Sequence, residues 1–218
     1  MNAPASAIPA AWLDEIRAAL AQSPRVLLGL AGTPGAGKSS LATALADAFG
    51  TDAVVVPMDG FHLANIELAR LGRADRKGAP DTFDAAGFTA LLARIRAAGA
   101  AETVYAPLFR REIEEPIANA IPVLPGHRLI ITEGNYLLAD GAWAGVRPLL
   151  NLCWFIDIAA EVRVRRLIDR HRHFGRSEDA ARNWVLHSDE KNAYFIDKTR
   201  IHADRLVRWP AEVLSPVI

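Results

Sequence analysis

The stretch RVLLGLAGTPGAGKSSLATALADAF, Arg25 to Phe49, constrains the chain more than any other. An apolar run passes through a glycine-rich nonapeptide into a segment with helical spacing. The run Arg25–Gly32 predicts a strand covered on both faces, because it lacks the polar alternation of a half-exposed one. Gly32, Thr33, Pro34, Gly35, Ala36, Gly37, Lys38, Ser39 and Ser40 then fit G-x-x-x-x-G-K-[ST], in the strand–loop–helix setting that pattern requires. Glycines let the backbone curl until several N–H groups converge, and the following helix adds the positive end of its dipole. Such a loop cradles phosphate. The lysine reaches terminal phosphates and the next hydroxyl ligates a divalent cation, so the nonapeptide predicts ATP and Mg²⁺ as the bound pair. The chain has only four lysines, Lys38, Lys77, Lys191 and Lys198, so chance rarely sets one here.

Three further apolar runs read as buried strands: Asp52–Met58, His127–Gly134 and Asn151–Asp157. Helical spacing runs through Ser39–Phe49, Asp84–Ala98 and Ala159–His171, and Trp12, Ile16 and Leu20 predict an amphipathic helix near the N-terminus. Strand and helix in alternation predict a three-layer α/β/α fold around a doubly wound, mainly parallel sheet. Gly72–Asp84 is polar and rich in glycine and proline, hence a loop, and Thr103–Val123 reads as short strands or a hairpin-like insertion with charged tips. No repeat or linker divides the chain. Residues 1–218 therefore read as one domain, with a lid near 170–178 and an acceptor-side insertion near 103–123.

Lys+Arg 25 against Asp+Glu 25 leaves net charge +0, which removes any global electrostatic case for nucleic acid or an acidic membrane as main partner. Charged residues interrupt every apolar run before it can span a bilayer, and the first residues lack the form of a signal peptide. The single cysteine, Cys153, lies in an apolar strand-like run, where a buried, inert thiol is expected. A cytoplasmic protein is expected, with a homodimer among the open oligomeric states.

A phosphate cradle alone does not separate a kinase from a GTPase or a motor. A guanine-reading N-K-x-D is missing, Glu190–Tyr194 (EKNAY) being the nearest run. Phosphoryl transfer to a hydroxyl needs a carboxylate near the γ-phosphate. Asp59 ends the run VVVPMD, at the carboxyl end of a strand where α/β sheets bind ligands. An N-cap on a helix starting near Phe61 is the other use of that carboxylate. Glu133 ends LIITE in the same manner and suits a magnesium shell, or else a solvated strand end. Between Glu161 and Ser177, Val164, Leu167 and Ile168 form one helical stripe, and Arg163, Arg166 and Arg170 another. Arginines gathered on one face predict a lid over the triphosphate, with Gly175 before Arg176 as a hinge. A solvated face, Asp169 pairing with Arg165 or Arg172, is the alternative, and His171 and His173 read as lid-surface residues rather than metal ligands. His62, Tyr105, Arg111, Asn135 and Tyr136, past strand ends or in the insertion, are candidate acceptor contacts.

GTPGAGKSS, PMDGFHLAN, RKGAPDTFD, ITEGNYLL and RVRRLIDRHRHFGRS together resemble the P-loop kinases that include uridine kinase, phosphoribulokinase and bacterial pantothenate kinase. Within them the chain resembles most a bacterial subgroup labelled nucleoside/nucleotide kinase-like or fructose-transport kinase. The resemblance implies Mg·ATP-dependent phosphorylation of a small metabolite's hydroxyl. It implies Asp59 as catalytic base, Lys38 and Ser39 as phosphate and magnesium contacts, and Glu133 as a magnesium-shell acid. Arg166, Arg170 and Arg176 become lid or phosphate arginines, in a lid one residue shorter than that of uridine kinases. Two departures fall on the acceptor side. Gly78 stands where uridine kinases hold the ribose with an acid, and Arg110 where the subgroup carries one, which implies a more cationic pocket and favours a phosphorylated or carboxylated acceptor. Ser188–Ala193 and Arg200–Pro210 are expected on the adenine side. A regulatory nucleotide-binding protein acting on a protein partner is the rival reading.

Overall fold

A computed structural model describes residues 8–209. The ends of the expected domain, residues 1–7 and 210–218, lie outside the described residues, Pro210 of the expected base-side stretch among them. Five parallel strands form the central sheet: β1 Val26–Gly32, β2 Ala53–Pro57, β5 Leu129–Gly134, β6 Leu152–Ile156 and β7 Arg205–Val207, in the order β2-β5-β1-β6-β7. β1 takes the centre, running from Val26↔Leu129 to Ala31↔Gly134 against β5 and from Leu28↔Leu152 to Gly32↔Ile156 against β6.

Every residue of β1 is buried, and its side chains divide between two cores by the period of two that a strand imposes. Val26, Leu28 and Leu30 pack with Trp12 and Ile16 of α1 (Ala10–Gln22) and Leu41 and Leu45 of α2 (Lys38–Phe49). Leu27 and Ala31 face the other way, toward Phe88, Leu92 and Ile95 of α4 (Ala85–Ala97). Two apolar faces, each covered by helices, explain why the strands lack polar alternation. Three layers and a parallel sheet are as expected. Asp84 starts α4 by accepting a hydrogen bond from Gly87 N at 2.8 Å. Cys153 is fully buried, and burial pushes its thiol up to about 12, so it is inert as expected.

The insertion is an antiparallel hairpin outside the main sheet, β3 Val104–Arg110 against β4 Glu115–Val123, with a register shift between Ala106 and Leu108. It rests on the turn after β2. A Cβ placed at Gly60 would meet the Pro107 carbonyl, its carbon only 2.8 Å away, so only glycine lets β3 come this close.

Elements not foreseen are α3 (Asn65–Arg70), β7, and the lid beyond α5 (Ala160–His173): α6 Glu178–Trp184, a π turn at Val185–Asp189 and α7 Glu190–Asp197. α3 and β7 are too short to establish a period. The π turn inserts a residue into the helical ladder, which breaks the 3.6 repeat that would have signalled one long helix.

The chain leaves β1 for β2, skipping the place β5 later fills, and then crosses to β6 on the other side. This reversal at β1 opens a crevice past the carboxyl ends of the strands.

Candidate active site

Four chain segments converge in that crevice. The first is the loop Gly32–Ser40 after β1. Lys38 is 8% exposed, and its ammonium donates to Gly32 O at 2.9 Å, Thr33 O at 3.0 Å and Asn135 Oδ1 at 2.7 Å. Burial is the largest influence on it and brings its pKa down to about 8, against the opposing pull of the Glu133 and Asp59 carboxylates. A cation held mainly by neutral oxygens is stabilised further by an arriving anion. Gly35 has φ +78°, and a Cβ there would stand 2.9 Å from Leu167 Cγ and 3.0 Å from Arg163 O. α5 thus lies directly on the loop, a contact no residue larger than glycine permits.

Ser39 Oγ donates to Glu133 Oε1 at 2.8 Å, Glu133 being the penultimate residue of β5. Burial raises the Glu133 carboxyl, the Asp59 charge raises it further, and Lys38 opposes both. A hydroxyl and a carboxylate oxygen are the hard donors Mg²⁺ takes. Among the described residues no group of three or more His, Cys, Asp or Glu gathers elsewhere to hold a metal. Ser39 and Glu133 therefore fit Mg²⁺ arriving with a triphosphate, and a solvated strand end is excluded because Glu133 is 7% exposed.

Asp59 sits on the short 3₁₀ turn Met58–Phe61 just past β2. It does not cap a helix: no side-chain cap is formed there, and its Oδ2 takes Arg111 Nη2 at 3.2 Å instead. His62 lies half-buried between the Phe83 ring at 4.0 Å and the Phe109 ring at 4.6 Å. Its Nδ1 is 2.8 Å from the Asp59 carbonyl, which can only accept, so Nδ1 carries the proton. Burial lowers its pKa and leaves the ring neutral at pH 7. His62, Arg111 and Asn135 are therefore brought to Asp59 and Lys38.

Two other acceptor candidates are not. Tyr136 is fully buried, with its hydroxyl donating to Gly78 O at 2.5 Å, and burial pushes its pKa up. It supports the loop rather than facing a ligand. Tyr105 is 52% exposed on the strand face opposite buried Val104 and Ala106, and among the described residues no bond or ring contact ties it to the site. Arg110 likewise turns to solvent and pairs with Glu112 at 3.1 Å, so the pocket's added cation is Arg111, not Arg110.

On the lid, Arg166 Nη1 reaches Gly35 O at 3.4 Å. Arg170 lies within reach of the same charges: desolvation lowers its pKa, then Arg111, while Asp189, Asp59 and Glu133 draw it back. Arg163 is buried and pairs with Glu190 Oε1 at 2.6 Å. Arg176 stacks 4.0 Å over the Trp184 ring and has no ion pair among the described residues. No ion pair joins Asp169 to Arg165 or Arg172 within the described residues, so the solvated-face alternative lacks its expected pairing. His171 is not a surface residue. Its Nε2 meets Asp189 Oδ2 at 3.0 Å, both side chains mostly covered.

Within Ser188–Ala193, expected on the base side, three side chains are engaged elsewhere. Asp189 goes to His171, Glu190 to Arg163, and Asn192 Nδ2 to Gly78 O at 3.5 Å, on the acceptor side. Trp209, by contrast, lies by the cradle, its Cδ1 3.5 Å from where a Gly37 Cβ would be. Asp189 and Asn192 were expected on the base side rather than here, and Lys77, Phe83 and Phe109 were not singled out as site residues. Only Phe83 carried a signal, in PDTFD; the others join the site through contacts distant in sequence.

A parallel sheet with a phosphate cradle, two carboxylates at neighbouring strand ends and an arginine lid defines a P-loop phosphotransferase. The family model described as Phosphoribulokinase / Uridine kinase family matches residues 27–213, and the chain belongs to that family. It is a kinase. A protein of Schizosaccharomyces pombe provisionally named a uridine kinase is 35% identical over 83% of this chain and 81% of its own. An ATP-dependent kinase-like protein of Aspergillus versicolor is 36% identical over 69% of this chain and 92% of its own. The crystal structure of a protein from Silicibacter sp. TM1040, provisionally named a fructose transport system kinase, superposes with TM-score 0.82 at 37% identity, over 93% of this chain and 100% of that one. No helix among the described residues is long and apolar enough to cross a membrane.

Proposed function

We propose that the chain is a cytoplasmic ATP-dependent kinase moving the γ-phosphate onto a hydroxyl of a small metabolite, a nucleoside, sugar or pantothenate-like acceptor. Asp59 is its general base. Residues 1–218 act as one catalytic unit, the lid near 170–178 closing over ATP and the hairpin 103–123 flanking the acceptor. The observation that carries this is geometric: Pro57 pairs with Glu133 across β2 and β5, so Asp59 follows two residues on, beside the Glu133–Ser39 pair of the cradle, close enough for its charge to act on Lys38 and Glu133.

Lys38 leaves its carbonyl partners and Asn135 for phosphate oxygens. Ser39 and Glu133 would hold Mg²⁺, which would neutralise charge spreading over the phosphoryl oxygens. Asp59 orients the acceptor hydroxyl in line with the γ-phosphate and takes its proton as attack proceeds. Arg166 and Arg170 stand ready to screen the leaving phosphate, and Arg176 joins them once the lid moves. His62, neutral and locked by its Nδ1 proton, presents Nε2 as an acceptor for a substrate hydroxyl.

Asp59→Asn tests the reading. Acceptor-dependent ADP release is expected to fall by at least about 10²-fold with ATP affinity unchanged. Turnover that survives the substitution places the base elsewhere. ATP binding with no acceptor-dependent turnover across nucleosides, sugars, sugar phosphates and pantothenate-like acids favours a regulatory role toward a protein partner.

A further inference from the structure

We infer that Arg111 is an acceptor-sensing gate: it holds Asp59 until an acceptor bearing a carboxylate or phosphate draws it away. The inference rests on the kinase reading above. Arg111 occupies the hairpin tip, 52 residues from Asp59 in sequence, and its Nη2 lies 3.2 Å from Asp59 Oδ2. A guanidinium on Oδ2 competes with any hydroxyl for the Asp59 carboxylate, whose other oxygen has no partner among the described residues. The pair lines open crevice, with 40% of the Arg111 and 28% of the Asp59 side chain exposed, so a ligand can reach it.

The tip is braced so that Arg111 stays in place. The Glu115 carboxylate accepts from Asn65 N at 3.0 and 3.1 Å, Asn65 Nδ2 donates to Glu114 O at 3.1 Å, and Lys77 Nζ donates to Asn65 Oδ1 at 2.6 Å and to Glu114 O. Arg110 is occupied by Glu112. Of these tip and brace cations, only Arg111 is spent on a residue of the reaction centre.

Charge balance supplies the ligand class. In one cluster Lys38, Arg111 and Arg170 face the carboxylates Asp59, Glu133 and Asp189, and Arg111 is bonded to Asp59 alone among them. The triphosphate answers Lys38 and Arg170. When Asp59 takes the hydroxyl proton it becomes neutral, and Arg111 loses its counter-charge. An anionic group on the acceptor replaces that charge, and the same contact that frees the base recognises the substrate. Without acceptor, the closed pair keeps Asp59 from activating water and wasting ATP.

The test uses the full chain, wild type beside Arg111→Gln and Arg111→Lys, with Mg·ATP. Probes are matched pairs: erythritol and erythronate, pantothenol and pantothenate for the carboxylate arm, ribose and ribose 5-phosphate for the phosphate arm. Three results are expected. Acceptor-free ATP hydrolysis rises about tenfold in Arg111→Gln and stays near wild type in Arg111→Lys. In the wild type an anionic probe stimulates ADP release where its neutral partner does not. Arg111→Gln raises the KM of that anion by about 10- to 150-fold, the worth of one charge-assisted contact. Circular dichroism and ATP binding verify folding. Acceptor-free hydrolysis in Arg111→Gln at or below wild type overturns the gate whatever the probes show. Stimulation by a neutral probe equal to its anionic partner overturns the substrate class. Loss of ATP affinity in Arg111→Gln without acceptor assigns Arg111 to the triphosphate and overturns both. Asp59→Asn run in parallel reports on the base separately, because it tests proton transfer and not charge selection.

Discussion

The buried lysine of the cradle makes ATP binding depend on pH in a way that needs no knowledge of the acceptor. Lys38 is 8% exposed and titrates near 8 in the native protein, against 10.5 when solvated. The unfolded chain therefore holds a proton between pH 8 and 10.5 that the native protein lacks, and stability rises with pH through that window. The full interval corresponds to about 3 kcal/mol. Lys38→Met removes the titrating group, so urea unfolding of the two proteins at pH 7 and pH 10 isolates the effect. The wild type is expected to gain stability relative to the variant by about 2–3 kcal/mol over that range. Triphosphate brings anionic charge to the ammonium and raises its pKa toward the solvated value. Binding at pH 8.5 to 9 must then take up a proton. The nucleotide's own phosphates titrate near pH 6, so they do not contribute there. Isothermal calorimetry in buffers of different ionisation enthalpy measures the uptake directly, and well over half a proton per ATP is expected at pH 9. Above pH 8.5 the affinity falls by up to about tenfold per pH unit. Identical pH trends for wild type and Lys38→Met, or no uptake at pH 9, would show that Lys38 keeps an ordinary pKa and that its burial has no energetic consequence.

Two further substitutions separate positioning from packing. Gly60→Ala forces a methyl against the Pro107 carbonyl and is expected to cost about 1–3 kcal/mol in urea unfolding. It should also lower acceptor-dependent kcat by about 10²-fold, because Asp59 shifts with it, while ATP affinity holds; an unchanged kcat would detach the β3 contact from base placement. Arg170→Ala is expected to lower kcat by about 10²-fold or more and Arg176→Ala by less than tenfold, since only Arg170 already faces the reacting charges. An unchanged kcat in Arg176→Ala would show that its stack on Trp184 survives closure and that Arg176 does not join the phosphates.

The residues legible in the sequence are those whose chemistry is local along the chain. The cradle is a contiguous nonapeptide, and Asp59 and Glu133 each end an apolar run, so the sheet delivers all three to one crevice. The strand pattern and α1, α2, α4 and α5 were legible for the same reason: each is long enough to show its period. What escaped is set by contacts across the chain. Nothing near Asp189 announces that it will meet His171 across the lid, or that Asn192 will reach Gly78 on the acceptor loop. Arg110 and Arg111 are adjacent and equally basic, and their place in the hairpin separates them: Arg110 is the last residue of β3, paired with Glu115, and Arg111 lies past the strand end in the tip. A one-residue slip in a strand sends each side chain to the other face. The departure from an acid at position 110 therefore says little by itself about the pocket. The hairpin places one guanidinium against the Asp59 carboxylate and leaves its neighbour in solvent, paired with Glu112.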